Sequence, residues 1–239
     1  EPLDPAERWG VAAMIGIWAA GTLTFFVGIL PGGLKWGLPI VPIVAFSAAA
    51  FRYRAMKELW VAPNRPVGWA LGAGLLVAVL ALVPLVNALA PSDTMDWDTV
   101  AYHLAVPKLW LQAGQIVDVP FIHHSHFPFA IDNLYLYGLA AGSEAAAKAV
   151  TLAAFLAGLL ALFGCARRMA GESAGWTAAL VWTGTPVVLW TSGSGYIDAA
   201  HGLYVGLSVV YGAQALSHRP LWKLSALMLA GAAATKWTG

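Results

Sequence analysis

The chain has 239 residues, of which 59% are apolar and only 10% charged, with 12 Trp, 25 Gly and a mean hydropathy of +0.70. These values exclude a water-soluble globular domain and point to a polytopic membrane protein. A net charge of +1 argues against a nucleic-acid partner, and the single cysteine, Cys165, rules out a disulfide within the chain.

A helix needs about 20 apolar residues to cross the roughly 30 Å hydrocarbon core. Seven stretches meet or approach that length, at 9–30, 37–51, 67–90, 144–166, 173–190, 196–216 and 221–238, the second being the shortest. The expected fold is therefore an all-α transmembrane bundle of about seven spans. The first run lacks a basic leader and a small-residue cleavage site, so it reads as a span and not as a cleaved signal. The opening at Glu1, without Met, reads as a missing natural N-terminus.

Between the third and fourth spans lies a polar segment, 91–130, that opens with Asp93, Asp96 and Asp98. Val100, Leu104 and Leu111 recur at helical spacing, and Pro107 interrupts them, which predicts two short helices along the membrane surface. Gly114 is placed to cap the second. The stretch 119–128 mixes prolines and aromatics with His123, His124 and His126 and reads as an ordered connector. The apolar run 131–141 is half a span long and reads as a juxtamembrane or re-entrant helix. No internal repeat is present.

Lys and Arg orient the bundle, because short cytoplasmic loops hold an excess of them. Arg52, Arg54, Lys57 and Arg65 follow span two, Arg167 and Arg168 follow span four, and Arg219 and Lys223 separate spans six and seven. Seven alternating spans bring these loops to one side. The opposite, exoplasmic side then receives segment 91–130, Asp198 and Lys236, in what reads as a bacterial inner membrane.

The run Trp97-Asp98-Thr99-Val100-Ala101-Tyr102-His103-Leu104-Ala105-Val106-Pro107-Lys108, continuing to Gly114, resembles the first exoplasmic loop of GT-C-type glycosyltransferases. Similar pieces follow in the same order: His126-Phe127-Pro128, Asn133-Leu134-Tyr135, Arg167-Arg168, Thr185-Pro186, Gly195-Tyr196-Ile197-Asp198 and Ala234-Thr235-Lys236-Trp237. The resemblance covers about 93–239 and is to polytopic transferases that use polyprenyl-phosphate sugars, akin to protein O-mannosyltransferases and aminoarabinose transferases. It divides the chain into two N-terminal spans with a basic loop, 1–66, and a GT-C-like core, 67–239. Such enzymes usually continue with more spans, so the chain reads as the N-terminal portion of a longer transferase or as a truncated relative.

The resemblance implies transfer of a sugar from a polyprenyl phosphate to an acceptor, with Asp98 and Asp198 catalytic and Tyr102, His103, His126 and Lys236 contacting substrate. It also implies a divalent metal ion as a possible cofactor, held by Asp98 and Asp198. Each residue has a plainer reading beside this one. Asp98 and Asp198 are also placed to cap helices, and Lys236 to snorkel to the interface. His103 also fits interfacial packing, and Asp93 and Asp96 read as solvated loop acids. The three clustered histidines lack the i, i+4 spacing of a zinc site. His201, one turn past Asp198, is expected to hydrogen-bond it; ligation of a pigment is the lesser reading.

A second class of function is a non-catalytic subunit of a larger membrane assembly, with other membrane-protein subunits or lipids covering the groove beside Asp98, Asp198 and Lys236. A transporter ranks last, because inverted repeats and mid-membrane charges are missing from the pattern.

Overall fold

The computed structural model describes residues 3–51 and 68–237, whose regular structure is all helical, with no strand among them. The basic loop with Arg52, Arg54, Lys57 and Arg65 lies outside the described residues. Ten α-helices follow in order: α1 (Pro5–Gly28), α2 (Gly33–Phe51), α3 (Trp69–Leu89), α4 (Ala105–Ala113), α5 (Asp132–Ala140), α6 (Glu144–Ala170), α7 (Glu172–Gly184), α8 (Pro186–Ser194), α9 (Asp198–Ala215) and α10 (Trp222–Thr235). Short π and 3-10 turns at Thr99–His103, His123–His126 and Arg219–Leu221 join some of them.

Among the described residues, three helices, α1, α3 and α6, are long and apolar enough to cross a membrane. Helix α2 has 19 residues and contains Pro39 and Pro42. The run expected as one span at 173–190 is two helices, because Pro186 lacks an N–H and opens α8 at its first position instead of extending α7. Helices α9 and α10 are 18 and 14 residues long.

Small residues set the closest contacts. A Cβ on Gly10 of α1 would lie 2.3 Å from the Ala161 nitrogen of α6, so glycine lets these two backbones touch. A Cβ on Gly21 would lie 1.6 Å from the Ala130 carbonyl oxygen, and the Gly21 carbonyl accepts a hydrogen bond from Asn133 Nδ2 at 3.2 Å. That contact seats the start of α5 against α1.

At the far end of α6, Arg167 pairs with Asp4 through two bonds of 2.8 Å, and Arg168 pairs with Glu7 in the same bidentate way. Glu7 is fully buried and also accepts from the Tyr211 hydroxyl at 3.0 Å. Arg167 and Arg168 are thus a clasp joining α1, α6 and α9. At the other end of α6, the buried Lys148 donates to the Asn87 and Ala90 carbonyls, which close α3.

The segment between α3 and α5 folds over that end with a core of its own, built from Leu34, Tyr102, Val106, Trp110, Phe129 and Leu136. Its buried face therefore follows Tyr102, Val106 and Trp110 at four-residue steps, and Val100, expected in the apolar stripe, is exposed. Pro107 does not break the segment as expected. It sits in the first turn of α4, where no intrahelical partner is lost, and the change of helix type falls at Leu104. Gly114 caps α4 in the left-handed conformation, φ 69°, as its position predicts. The Ala130 N–H donates to the Ala234 carbonyl at 3.1 Å, tying the segment to the last turn of α10.

Candidate functional site

Asp98 stands at the mouth of a π turn, Thr99–His103, whose closing bond runs from Leu104 N–H to the Thr99 carbonyl at 2.9 Å. The wider π turn carries Tyr102 and His103 inward, and both are buried. Tyr102 donates its hydroxyl to Asp98 Oδ2 at 3.0 Å, and the Asp98 N–H donates to the Tyr196 hydroxyl at 3.2 Å. Thr99 anchors the turn by donating to the Ser194 carbonyl at 2.8 Å. Burial holds the Tyr102 phenol above its ordinary pKa, and its hydrogen bond to Asp98 and the charges of Asp98, Asp132 and Asp198 push it further up. Three carboxylates therefore act on one neutral phenol.

Asp198 opens α9 and Lys236 follows α10, and their side chains meet at 2.6 Å. Neither Asp98 nor Asp198 makes a side-chain cap on the helix that follows it, so the capping alternative has no bond to support it. His103 gives Nδ1 to Asp132 Oδ1 at 2.5 Å, each being about 99% buried. Tyr102, His103, Asp132, Thr235 and Lys236 line one cavity of about 10 Å³.

His126 lies elsewhere, exposed and paired with Asp118 at 2.9 Å on the rim of a larger groove of about 600 Å³ beside Phe25 and Phe26 of α1. Phe127, Pro128 and Phe129 border both spaces. His124 stacks on Tyr102, ring centroids 4.3 Å apart and planes 9° from parallel. His201 makes no hydrogen bond to Asp198, whose carboxylate Lys236 already holds, and its Nδ1 is buried without a partner. Asp93 is exposed, as a solvated loop acid should be, whereas Asp96 is buried and accepts from Trp190 Nε1 at 3.2 Å. That corrects the solvated reading of Asp96: the end of α8 covers it.

Among the described residues, no group of three or more His, Cys, Asp and Glu side chains is placed to hold a metal ion. As the side chains stand, Lys236 takes Asp198 and the Tyr102 hydroxyl takes Asp98, so the donor set does not fit a metal centre built on these two acids. Asp132 and Lys148 escaped the sequence reading. An acid at the head of a short apolar helix, like Asp198 at the head of a long one, is costly without a partner, and that was the signal for Asp132. No protein-family model, curated protein or solved structure matches this chain.

Proposed function

We propose that this chain carries the reaction face of a membrane glycosyltransferase that moves a sugar from a polyprenyl-phosphate donor to an acceptor hydroxyl. The supporting observation is the convergence of Tyr102, His103 and Lys236, far apart in sequence, on one cavity beside Asp98 and Asp198. In the reaction the acceptor oxygen forms the new bond to the anomeric carbon, the bond from that carbon to the phosphate oxygen breaks, and the acceptor proton passes to Asp98. Tyr102 keeps that carboxylate oriented. Lys236 has N–H donors left beyond the one on Asp198 and offers them to the departing phosphate, whose charge grows as the bond breaks. No step is routed through a metal.

On this reading the chain crosses the inner membrane seven times. Helices α7 and α8, 13 and 9 residues long, together cover about 33 Å at 1.5 Å per residue and act as one broken span. The Arg167, Arg168 and Arg219 end is cytoplasmic and the Asp98 end exoplasmic.

Asp98→Asn keeps size and removes the base. In membranes holding the natural full-length protein and a radiolabelled polyprenyl-phosphate sugar, this variant should lose transfer by at least about 100-fold with normal folded yield. Unchanged transfer by a well-folded variant overturns the assignment.

A further inference from the structure

His103 and Asp132 satisfy each other on one side only. His103 Nε2 and Asp132 Oδ2 are buried without a hydrogen-bond partner, and both residues line the small cavity that Lys236 and Thr235 also border. Buried polar atoms are as a rule hydrogen-bonded, so two without a partner in one place mark a position that a further hydrogen-bonding group can fill. The cavity volume, about 10 Å³, matches a single oxygen atom with its hydrogen.

The chemistry selects which oxygen. With His103 as the Nδ1–H tautomer, the form the test below reads, that N–H goes to Asp132 and Nε2 keeps a lone pair. Nε2 and Oδ2 are then two acceptors asking for a donor, which the unprotonated oxygens of a phosphodiester cannot supply. A neutral hydroxyl fits on every count: it donates to Nε2 or Oδ2 and accepts from Lys236 Nζ.

We propose that the His103–Asp132 pair is a subsite for one hydroxyl group of a carbohydrate ligand. His103 is the contact and Asp132 is the positioning residue that fixes its tautomer. The ligand body occupies the larger groove, and the hydroxyl reaches the cavity past Phe127, Pro128 and Phe129, which border both. The source of the carbohydrate rests on the transferase reading; the subsite itself rests on the cavity and its two unpartnered atoms.

The test uses the full chain in lipid nanodiscs, labelled with 15N-histidine, with His103 assigned by the signal missing in His103→Gln. Its ring should show the Nδ1–H tautomer. Methyl pyranosides of mannose, glucose and galactose, and dimethyl phosphate, whose oxygens carry no proton, are then titrated into the unsubstituted protein. At least one glycoside should shift the Nε2 resonance saturably, dimethyl phosphate should not, and Asp132→Asn should weaken that glycoside by about tenfold. A shift with dimethyl phosphate alone, or with none of the probes, overturns the subsite. The glycoside shift is read on the unsubstituted protein, so a misfolded Asp132→Asn does not blunt it. A saturable glycoside shift in a full-length protein that transfers no sugar would instead remove the transferase reading and leave the subsite standing.

Discussion

Tyr102 is where the site's competing demands meet. Its hydroxyl donates to Asp98, while its ring lies between His103, centroid 4.1 Å away, and the stacked His124. Because burial and neighbouring carboxylates raise its pKa, folding favours the protonated phenol. The contribution is fully present below the unfolded tyrosine value of about 10 and fades as pH rises beyond it. Thermal unfolding midpoints measured from about pH 8 to pH 11 should therefore fall more steeply for the unsubstituted protein than for Tyr102→Phe. Parallel curves would mean that the phenol is not held by these acids. The residues around Tyr102 were legible one by one for a simple reason: Asp98, Asp198 and Lys236 are charges in an apolar sequence, each needing a partner. Which partner each takes was not legible, since Asp198 and Lys236 are 38 positions apart and nothing local couples them.

The clasp between α1 and α6 shows the same limit at the scale of an element. Arg167 and Arg168 read as loop charges that orient the bundle, yet the chain turns straight from α6 into α7 at Gly171, and both guanidinium groups fold back onto Asp4 and Glu7. Pairing across 161 positions leaves no periodic trace in the sequence. The two ion pairs differ in worth. Arg168 is 10% exposed and Glu7 fully buried, whereas Arg167 is 33% exposed. Glu7→Gln should cost about 3–5 kcal/mol by stranding the Arg168 charge, and Asp4→Asn under about 1 kcal/mol. Denaturation of the two variants in detergent micelles checks the order, and equal losses would contradict it. Helix α8 makes a complementary point: Pro186 was plain in the sequence, but the apolar character of 173–190 outweighed it and a break was read as continuity.

At the scale of the whole molecule, the two ends of α6 separate the chemistry of the chain. One end holds the Arg167–Asp4 and Arg168–Glu7 clasp, and the other holds Lys148 beside the segment that carries Asp98. Helix α9 runs between the same ends, from Asp198 to the neighbourhood of Tyr211, which bonds Glu7. The basic residues led to the expectation that Arg167 and Arg168 lie opposite Asp98 and Asp198, and the two groups stand at opposite ends of α6 and α9. Single cysteines at Met95 and Ser217, both exposed, should react with a membrane-impermeant maleimide from opposite sides of sealed vesicles. The native Cys165 is buried and should add little background. Labelling of both positions from one side would sink the proposed topology.

The bond from Ala130 to Ala234, together with the pairing of Asp198 with Lys236, also sets an order on biosynthesis. A chain made from its N-terminus reaches Asp98, His103, Asp132 and Asp198 while the ribosome has yet to add Lys236, so for that interval Asp198 has no counter-ion. The nascent chain carries an acid beside an unfinished wall until α10 swings in and closes it. Arrival of α10 is thus the assembly step that gives Asp198 its counter-ion.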